Sequence, residues 1–212
     1  MYKELPVGSS TVGKFVTYVE TQDSDEAGDY YKWTWKHFST RIYCAQTVIE
    51  FGDATPIKYR CCGPCWSIDQ CESCINILSD QLVNGRKFSR FLLDIPYDSK
   101  EPYYLAVQQS SLSAGAFKFW ESLNGQVNNG GGVFNSPPAA VAGNLSNVNN
   151  KDEQVLGYFG ASAIAKKIIY ISRDKIEKPP IPPVANFTIS PNCFACKEGY
   201  FRTPHKPEGW ID

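Results

Sequence analysis

Residues 59–74 read YRCCGPCWSIDQCESC and hold five of the eight cysteines: Cys61, Cys62, Cys65, Cys71 and Cys74. A segment this dense in sulfur must be cross-linked, metallated or kept reduced, and each choice selects a different compartment and a different fold. Cys44 lies upstream, and Cys193 and Cys196 lie near the end of the chain. The spacing weighs against zinc. Only five residues separate Cys62-x-x-Cys65 from Cys71-x-x-Cys74, where a zinc ribbon needs about 15–20, and Cys44 and Cys61 would be left without a role. A thioredoxin-like pair needs its first cysteine at a helix N-terminus, and Cys71 and Cys74 crowd the place such a helix would occupy. All eight cysteines therefore read as disulfide candidates, with the connectivity open. Adjacent cysteines do not readily pair, so Cys61 and Cys62 are expected to reach different partners. No cofactor or metal is expected.

The rest of the chain reads as mainly β. Residues 29–39 (DYYKWTWKHFS) alternate, with Tyr31, Trp33, Trp35 and His37 on one face and Lys32, Thr34 and Lys36 on the other. Period two in aromatic and β-branched residues is the pattern of a half-buried strand. Further strands are expected at 14–20, 43–50, 75–78, 88–95, 103–109, 155–162 and 167–173. Turn residues at Asn84-Gly85 and Pro96-Tyr97-Asp98-Ser99 punctuate them. Residues 113–127 break the pattern: Ala116, Trp120, Leu123 and Val127 recur at helical spacing, and Ser113 is placed to cap the first turn. The expected architecture is an antiparallel β-sandwich or barrel-like domain over residues 1–177 with one amphipathic helix. A Pro-rich spacer and Cys-x-x-Cys tail, residues 178–212, should dock on it, being too small for a core of its own.

Tyr31, Trp33 and Trp35 could form a stacking platform for sugar or peptide. The stronger expectation is that they are core, facing the helix through Trp120, because large apolar side chains are more often buried than displayed. The acidic run from Asp23 to Asp29 begins like a calcium loop but places Thr34 where a bidentate glutamate belongs. It reads as a solvated hairpin turn. The formal charge of −1 argues against a nucleic-acid partner, which demands a basic face. No apolar run reaches the ~18 residues of a membrane-spanning helix. The two histidines, His37 and His205, belong to no hydrolase motif: 160–164 (GASAI) fails the nucleophile-elbow pattern at its last position. A non-catalytic protein is expected.

Several motifs occur in order: Tyr30-Tyr31-Lys32-Trp33, Cys62-Gly63-Pro64-Cys65-Trp66, residues 113–120 (SAGAFKFW), Gly143-Asn144-Leu145, residues 155–162 (VLGYFGAS), and Cys193-Phe194-Ala195-Cys196 followed by Gly199, Pro207 and Trp210. Together they resemble a family of Bacteroidota outer-membrane lipoproteins known as domain of unknown function 4249 (DUF4249). The resemblance implies an exported lipoprotein with a signal peptide, an acylated cysteine and an N-terminal immunoglobulin-like region, of which this chain is the C-terminal portion. It implies a place at the outer membrane, periplasmic or surface-exposed, beside a TonB-dependent receptor as partner. Membrane association would come only through a lipid anchor outside this chain. The implied function is an accessory or ligand-capture role in TonB-dependent uptake. The alternatives are a free-standing glycan- or peptide-binding module and a zinc-stabilised interaction domain. The resemblance assigns no catalytic residue.

Overall fold

A computed structural model describes residues 1–7, 10–45, 57–71, 74–129, 140–181 and 188–211. The described chain is mainly β, and its strands form two facing sheets and a small pair. In the first sheet, β1 (Tyr2–Val7), β2 (Ser10–Gln22) and β7 (Lys87–Pro96) lie antiparallel in the order β1-β2-β7. The larger sheet centres on β3 (Tyr30–Thr40), the strand with the clearest alternation. One side of β3 pairs along its length with β8 (Tyr103–Ser111), which in turn pairs with β9 (Ile164–Ile171). Its other side is shared by β6 (Asn76–Ser79) at one end and β5 (Trp66–Gln70) at the other. A two-residue strand, β11 (Arg202–Thr203), extends β5.

The odd-numbered face of β3 turns toward the first sheet. Trp33, Tyr103 and Leu105 meet Phe15, Leu92, Leu93, Ile95 and Tyr97 there, with Tyr31, Trp35 and Val107 packed around them. Facing sheets that share an interdigitated core make a sandwich, so the sandwich expectation holds and the barrel alternative does not: among the described residues the sheets do not close. Trp33 is 1% exposed, and its indole N–H donates to Gln109 Oε1 at 3.0 Å, which removes the cost of burying that polar group.

The helix α1 (Ala114–Asn129) forms where its periodicity places it. Ser113 Oγ accepts the Ala116 N–H at 3.2 Å as the cap. The face it covers differs from expectation. Phe117 packs on Tyr30, 4.8 Å between ring centroids, and the Lys32 ammonium sits 3.2 Å over the centre of the Trp120 ring. Tyr30 and Lys32 are even-numbered, so the helix covers the outer face of the sheet, opposite Trp33. Val127, expected on the packed face, is exposed.

Two strand expectations change. Of residues 43–50, Tyr43 makes one isolated bridge with Arg60 and 46–50 lie outside the described residues. Residues 155–162 are irregular, and the Asn144 side chain organises them. Its Nδ2 donates to the Phe159 carbonyl and its Oδ1 accepts the Phe159 N–H, both at 2.7 Å. A side-chain amide thus replaces the partner strand. Gly157 beside it has φ +113°, a left-handed value that a Cβ disfavours. The acidic turn is also not solvated at its first residue. Asp23 is buried and accepts the Tyr31 hydroxyl at 2.6 Å and the Gly85 N–H at 3.0 Å. Its carboxylate is a structural acceptor.

In the tail, β10 (Thr188–Phe194) pairs in parallel with β4 (Ile57–Cys61), an arrangement no local pattern announced. Part of the Pro-rich spacer, residues 182–187, lies outside the described residues; ahead of it, the Lys178 carbonyl accepts the Tyr97 hydroxyl at 2.7 Å.

Candidate ligand groove

Where β3 ends, β8 begins and β9 ends, the tail crosses the sheet and leaves a groove of about 700 Å³. That volume lies within the range of small-molecule sites, ~300–1,000 Å³. Its floor and walls include His37, Phe38, Tyr103, Tyr170, Arg173 and Trp210. Each is placed by an element already described. His37 continues the odd face of β3 beyond the core, and Tyr103 opens β8. Tyr170 and Phe38 flank Tyr104 on the outer face, because Phe38 pairs with Tyr104 and Tyr104 with Tyr170 across the sheet.

Trp210 reaches the groove from the tail. Its ring lies 5.7 Å from Tyr104, 6.2 Å from Trp66 and 6.3 Å from Tyr170. The Tyr170 hydroxyl accepts the Ile211 N–H at 2.7 Å, and the Tyr104 hydroxyl donates to the Glu208 carbonyl at 2.7 Å. Two phenols therefore fix the backbone on either side of the indole.

Of the charged groups lining the groove, Arg173 and Asp98 are paired, while the Glu101 side chain is exposed. Arg173 is 6% exposed, and its guanidinium donates to the Glu101 carbonyl (2.7 Å), the Pro96 carbonyl (2.9 Å), Asp98 Oδ1 (2.6 Å) and Ser99 Oγ (2.7 Å). A planar fork of N–H donors is suited to this task. It clamps the turn from Pro96 to Glu101 and neutralises Asp98.

His37 lies flat on Tyr103, 3.7 Å between centroids with 6° between planes. Its Nδ1 is 2.6 Å from the Tyr104 carbonyl oxygen, so Nδ1 carries the proton and donates. Burial holds the imidazole below the ordinary histidine range, although the Tyr104 carbonyl and Asp69 act in the opposite sense. Burial likewise pushes the Tyr103 phenol well above its ordinary value, helped by the Asp69 charge. The groove thus presents aromatic faces, a neutral imidazole, the hydroxyls of Ser39, Thr40 and Ser99 and the Glu101 carboxylate. The buried Arg173 guanidinium is committed to four acceptors.

The cysteines form four bridges: Cys44–Cys61, Cys62–Cys193, Cys65–Cys196 and Cys71–Cys74. Cys61 and Cys62 do reach different partners. The tail pair Cys193 and Cys196 bonds to the central segment, each across 131 positions. These two staples and β11 hold the tail on the sheet that Trp210 crosses.

Of the sequence-expected stacking residues, none lines the groove. Tyr31, Trp33 and Trp35 belong to the core between the sheets, and Trp33 is closed to any ligand. Reasoning from sequence missed Tyr103, Tyr170, Arg173 and Trp210 as a group. His37 carried a signal, since it extends the aromatic alternation of β3 past the end of the core. Arg173 carried none: its acceptors lie more than 70 residues away.

A family model described as Domain of unknown function (DUF4249) matches residues 3–168. The chain belongs to this family. The DUF4249 match includes β1 through most of β9 and ends before Arg173, Cys193, Cys196 and Trp210, so one wall of the groove lies beyond the matched segment. No curated protein and no solved structure matches the chain. No helix of the described residues of this DUF4249 chain is long and apolar enough to cross a membrane.

Proposed function

We propose that this DUF4249 domain is a non-catalytic ligand-capture or accessory module of a TonB-dependent uptake system at the outer membrane. One observation carries the binding reading. The groove is walled by Phe38, Tyr103, Tyr170 and Trp210, while Arg173 and Asp98 neutralise each other inside it. Such a site favours a ligand with flat, partly apolar faces, as an oligosaccharide or a short peptide has. Four bridges favour an oxidising compartment, in keeping with export. The link to a TonB-dependent receptor rests on the family resemblance.

A free-standing glycan- or peptide-binding module is the second reading, and the same groove supports it. The zinc-stabilised alternative needs thiolates, and every cysteine is in a bridge. The test is tryptophan fluorescence against panels of neutral oligosaccharides and peptides, on the wild type and on Trp210→Phe. Saturable quenching that weakens in Trp210→Phe supports the groove; no response, or an identical response in both proteins, overturns it. Co-purification of the full-length protein with a receptor barrel separates the accessory role from the free-standing module.

A further inference from the structure

Where residues 40–45 leave β3 and run beside β4, they wall an open cleft of about 510 Å³, together with Lys58 of β4 and Ser67 of β5. Thr40 is the one residue this cleft shares with the groove, and none of the groove's aromatic side chains lines it. Its walls are pinned. Cys44 N–H donates to the Tyr59 carbonyl at 3.0 Å, Cys61 N–H donates to the Ile42 carbonyl at 2.8 Å, and the Cys44–Cys61 bridge joins the same two stretches. The Arg41 N–H is held by the Cys65 carbonyl at 2.8 Å. A wall fixed in this way lowers the ordering cost of binding.

The charge of the cleft is not balanced from within. Arg41 Nε donates to the Tyr43 carbonyl at 2.6 Å and Nη1 reaches Ser67 Oγ at 3.4 Å, while Nη2 meets no acceptor among the described residues. Arg202, opposite Ser67 on β11, donates only to carbonyls, of Lys197 at 3.0 Å and Cys44 at 2.9 Å. Among the described residues no carboxylate pairs with either guanidinium. Burial, and then the Arg202 charge, hold Arg41 below its ordinary pKa. Lys58 adds a further positive charge, its ammonium 5.5 Å over the Tyr43 ring. Half-buried cations that repel each other without a counter-charge are costly, and an oxyanion on the remaining Nη edge of the Arg41 fork relieves that cost. A bare inorganic ion would fill little of the cleft. The Tyr43 ring and Ile42, 63% exposed, offer apolar surface for a carbon skeleton.

We propose that this cleft is a second binding site, for a small organic acid. Its carboxylate or sulfate group seats on the Nη edge of Arg41 beside Ser67, and its carbon skeleton lies against Tyr43 and Ile42. The two sites differ in their chemistry: the groove's guanidinium is committed to four acceptors, whereas that of Arg41 keeps an edge for a ligand. The proposal does not rest on the groove reading, and either can fail without the other.

The oxidised full chain, labelled with ¹⁵N, is titrated with glucuronate, glucose 6-sulfate and glucose, and proton–nitrogen correlation spectra locate the response. The acids should shift the Arg41 Nε–H and the amides of Ile42 and Ser67, saturably, and leave Tyr103, Tyr170 and Trp210 unmoved. Glucose should do neither. The tighter of the two acids identifies the source of the charge. Arg41→Gln, whose amide can still donate to the Tyr43 carbonyl, should weaken binding by about tenfold or more, the ordinary worth of a charge-assisted hydrogen bond. Arg41→Lys should recover part of it, since the charge returns without the fork. In the wild type, raising NaCl from about 0.05 M to about 0.5 M should weaken binding as well. The proposal is overturned if neither acid shifts these signals, if glucose shifts them equally, or if the shifts centre on the groove. Undiminished binding in a folded Arg41→Gln, or at high salt, overturns it too.

Discussion

The His37 ring is stacked face to face on Tyr103, 3.7 Å between centroids, while its Nδ1 donates to the carbonyl of Tyr104. Stacking and hydrogen bond together fix one neutral tautomer in a buried setting. Protonation would charge a ring whose environment includes Arg173 as well as Asp69 and Asp98. Because burial dominates, the folded-state pKa lies below the ordinary 6.5.

The pH consequence follows by linkage. Below 6.5 the unfolded chain takes up a proton on His37 that the folded chain resists, so stability rises with pH through this window. The contribution is fully present above 6.5 and is lost as pH falls toward the depressed folded value. Urea midpoints at pH 7.5 and pH 5.5 should therefore drop more in the wild type than in His37→Phe, which keeps the stack on Tyr103 and has nothing to protonate. An equal drop in both proteins would remove His37 as a source of the pH dependence.

Arg173→Ala should be severely destabilising, by about 3–5 kcal/mol, because Asp98 and two backbone carbonyls lose their donors. Arg173→Lys should recover only part of this, since an ammonium cannot present a fork to four acceptors. Denaturant unfolding measures the stability, and amide exchange at Ser99 and Glu101 reports the turn directly. A lysine variant as stable as the wild type would show that the fork is dispensable.

The two tail staples should be strongly non-additive. A bridge closing a ~100-residue loop contributes about 4–5 kcal/mol in the chain-entropy model. Once either staple is closed, however, the other closes only a short ring. Cys193→Ser or Cys196→Ser alone should cost little of that chain entropy, beyond any packing loss at the sulfur. Cys193→Ser/Cys196→Ser should cost far more and expose the tail to limited proteolysis after Lys197 and Arg202. Equal losses from each single variant, summing to the double, would contradict this.

Gly143→Ala should disorder the segment around Phe159. A Cβ at Gly143 would overlap the carbonyl oxygen of Gly157, whose own φ of +113° leaves it little room to shift. The Asn144–Phe159 pairing would break with it. Asn144→Ala should give a related but milder effect, leaving the Phe159 N–H and carbonyl to water. Hydrogen exchange at the Phe159 amide orders the three proteins, and protection in Gly143→Ala equal to the wild type would refute the close approach.

Local signals in the chain were legible wherever a single element could satisfy them. The aromatic alternation of residues 29–39 made β3, and Ser113 with the periodic apolar residues after it made α1. Both depend on backbone geometry within a few residues. The mainly β class followed from the same alternation, and disulfide chemistry from the number and crowding of the cysteines. Even the core role of Trp33 was readable, because an aromatic on an alternating face is most cheaply buried.

Everything that required two distant segments to meet was decided by tertiary structure. The face of β3 that α1 covers depended on how β2 and β7 filled the other one. β4 and β10 became strands through each other, and residues 155–162 failed to become one because the Asn144 amide took up the Phe159 backbone. Beyond keeping the adjacent Cys61 and Cys62 apart, the cysteines did not disclose their pairing, since connectivity is set by Cα positions that β4, β5 and β10 bring together. The groove, too, exists only because Arg173 finds the turn from Pro96 to Glu101 and two staples deliver Trp210 to Tyr104. Residue types state what contacts are available; which of them form is settled by the competition among all of them for one core.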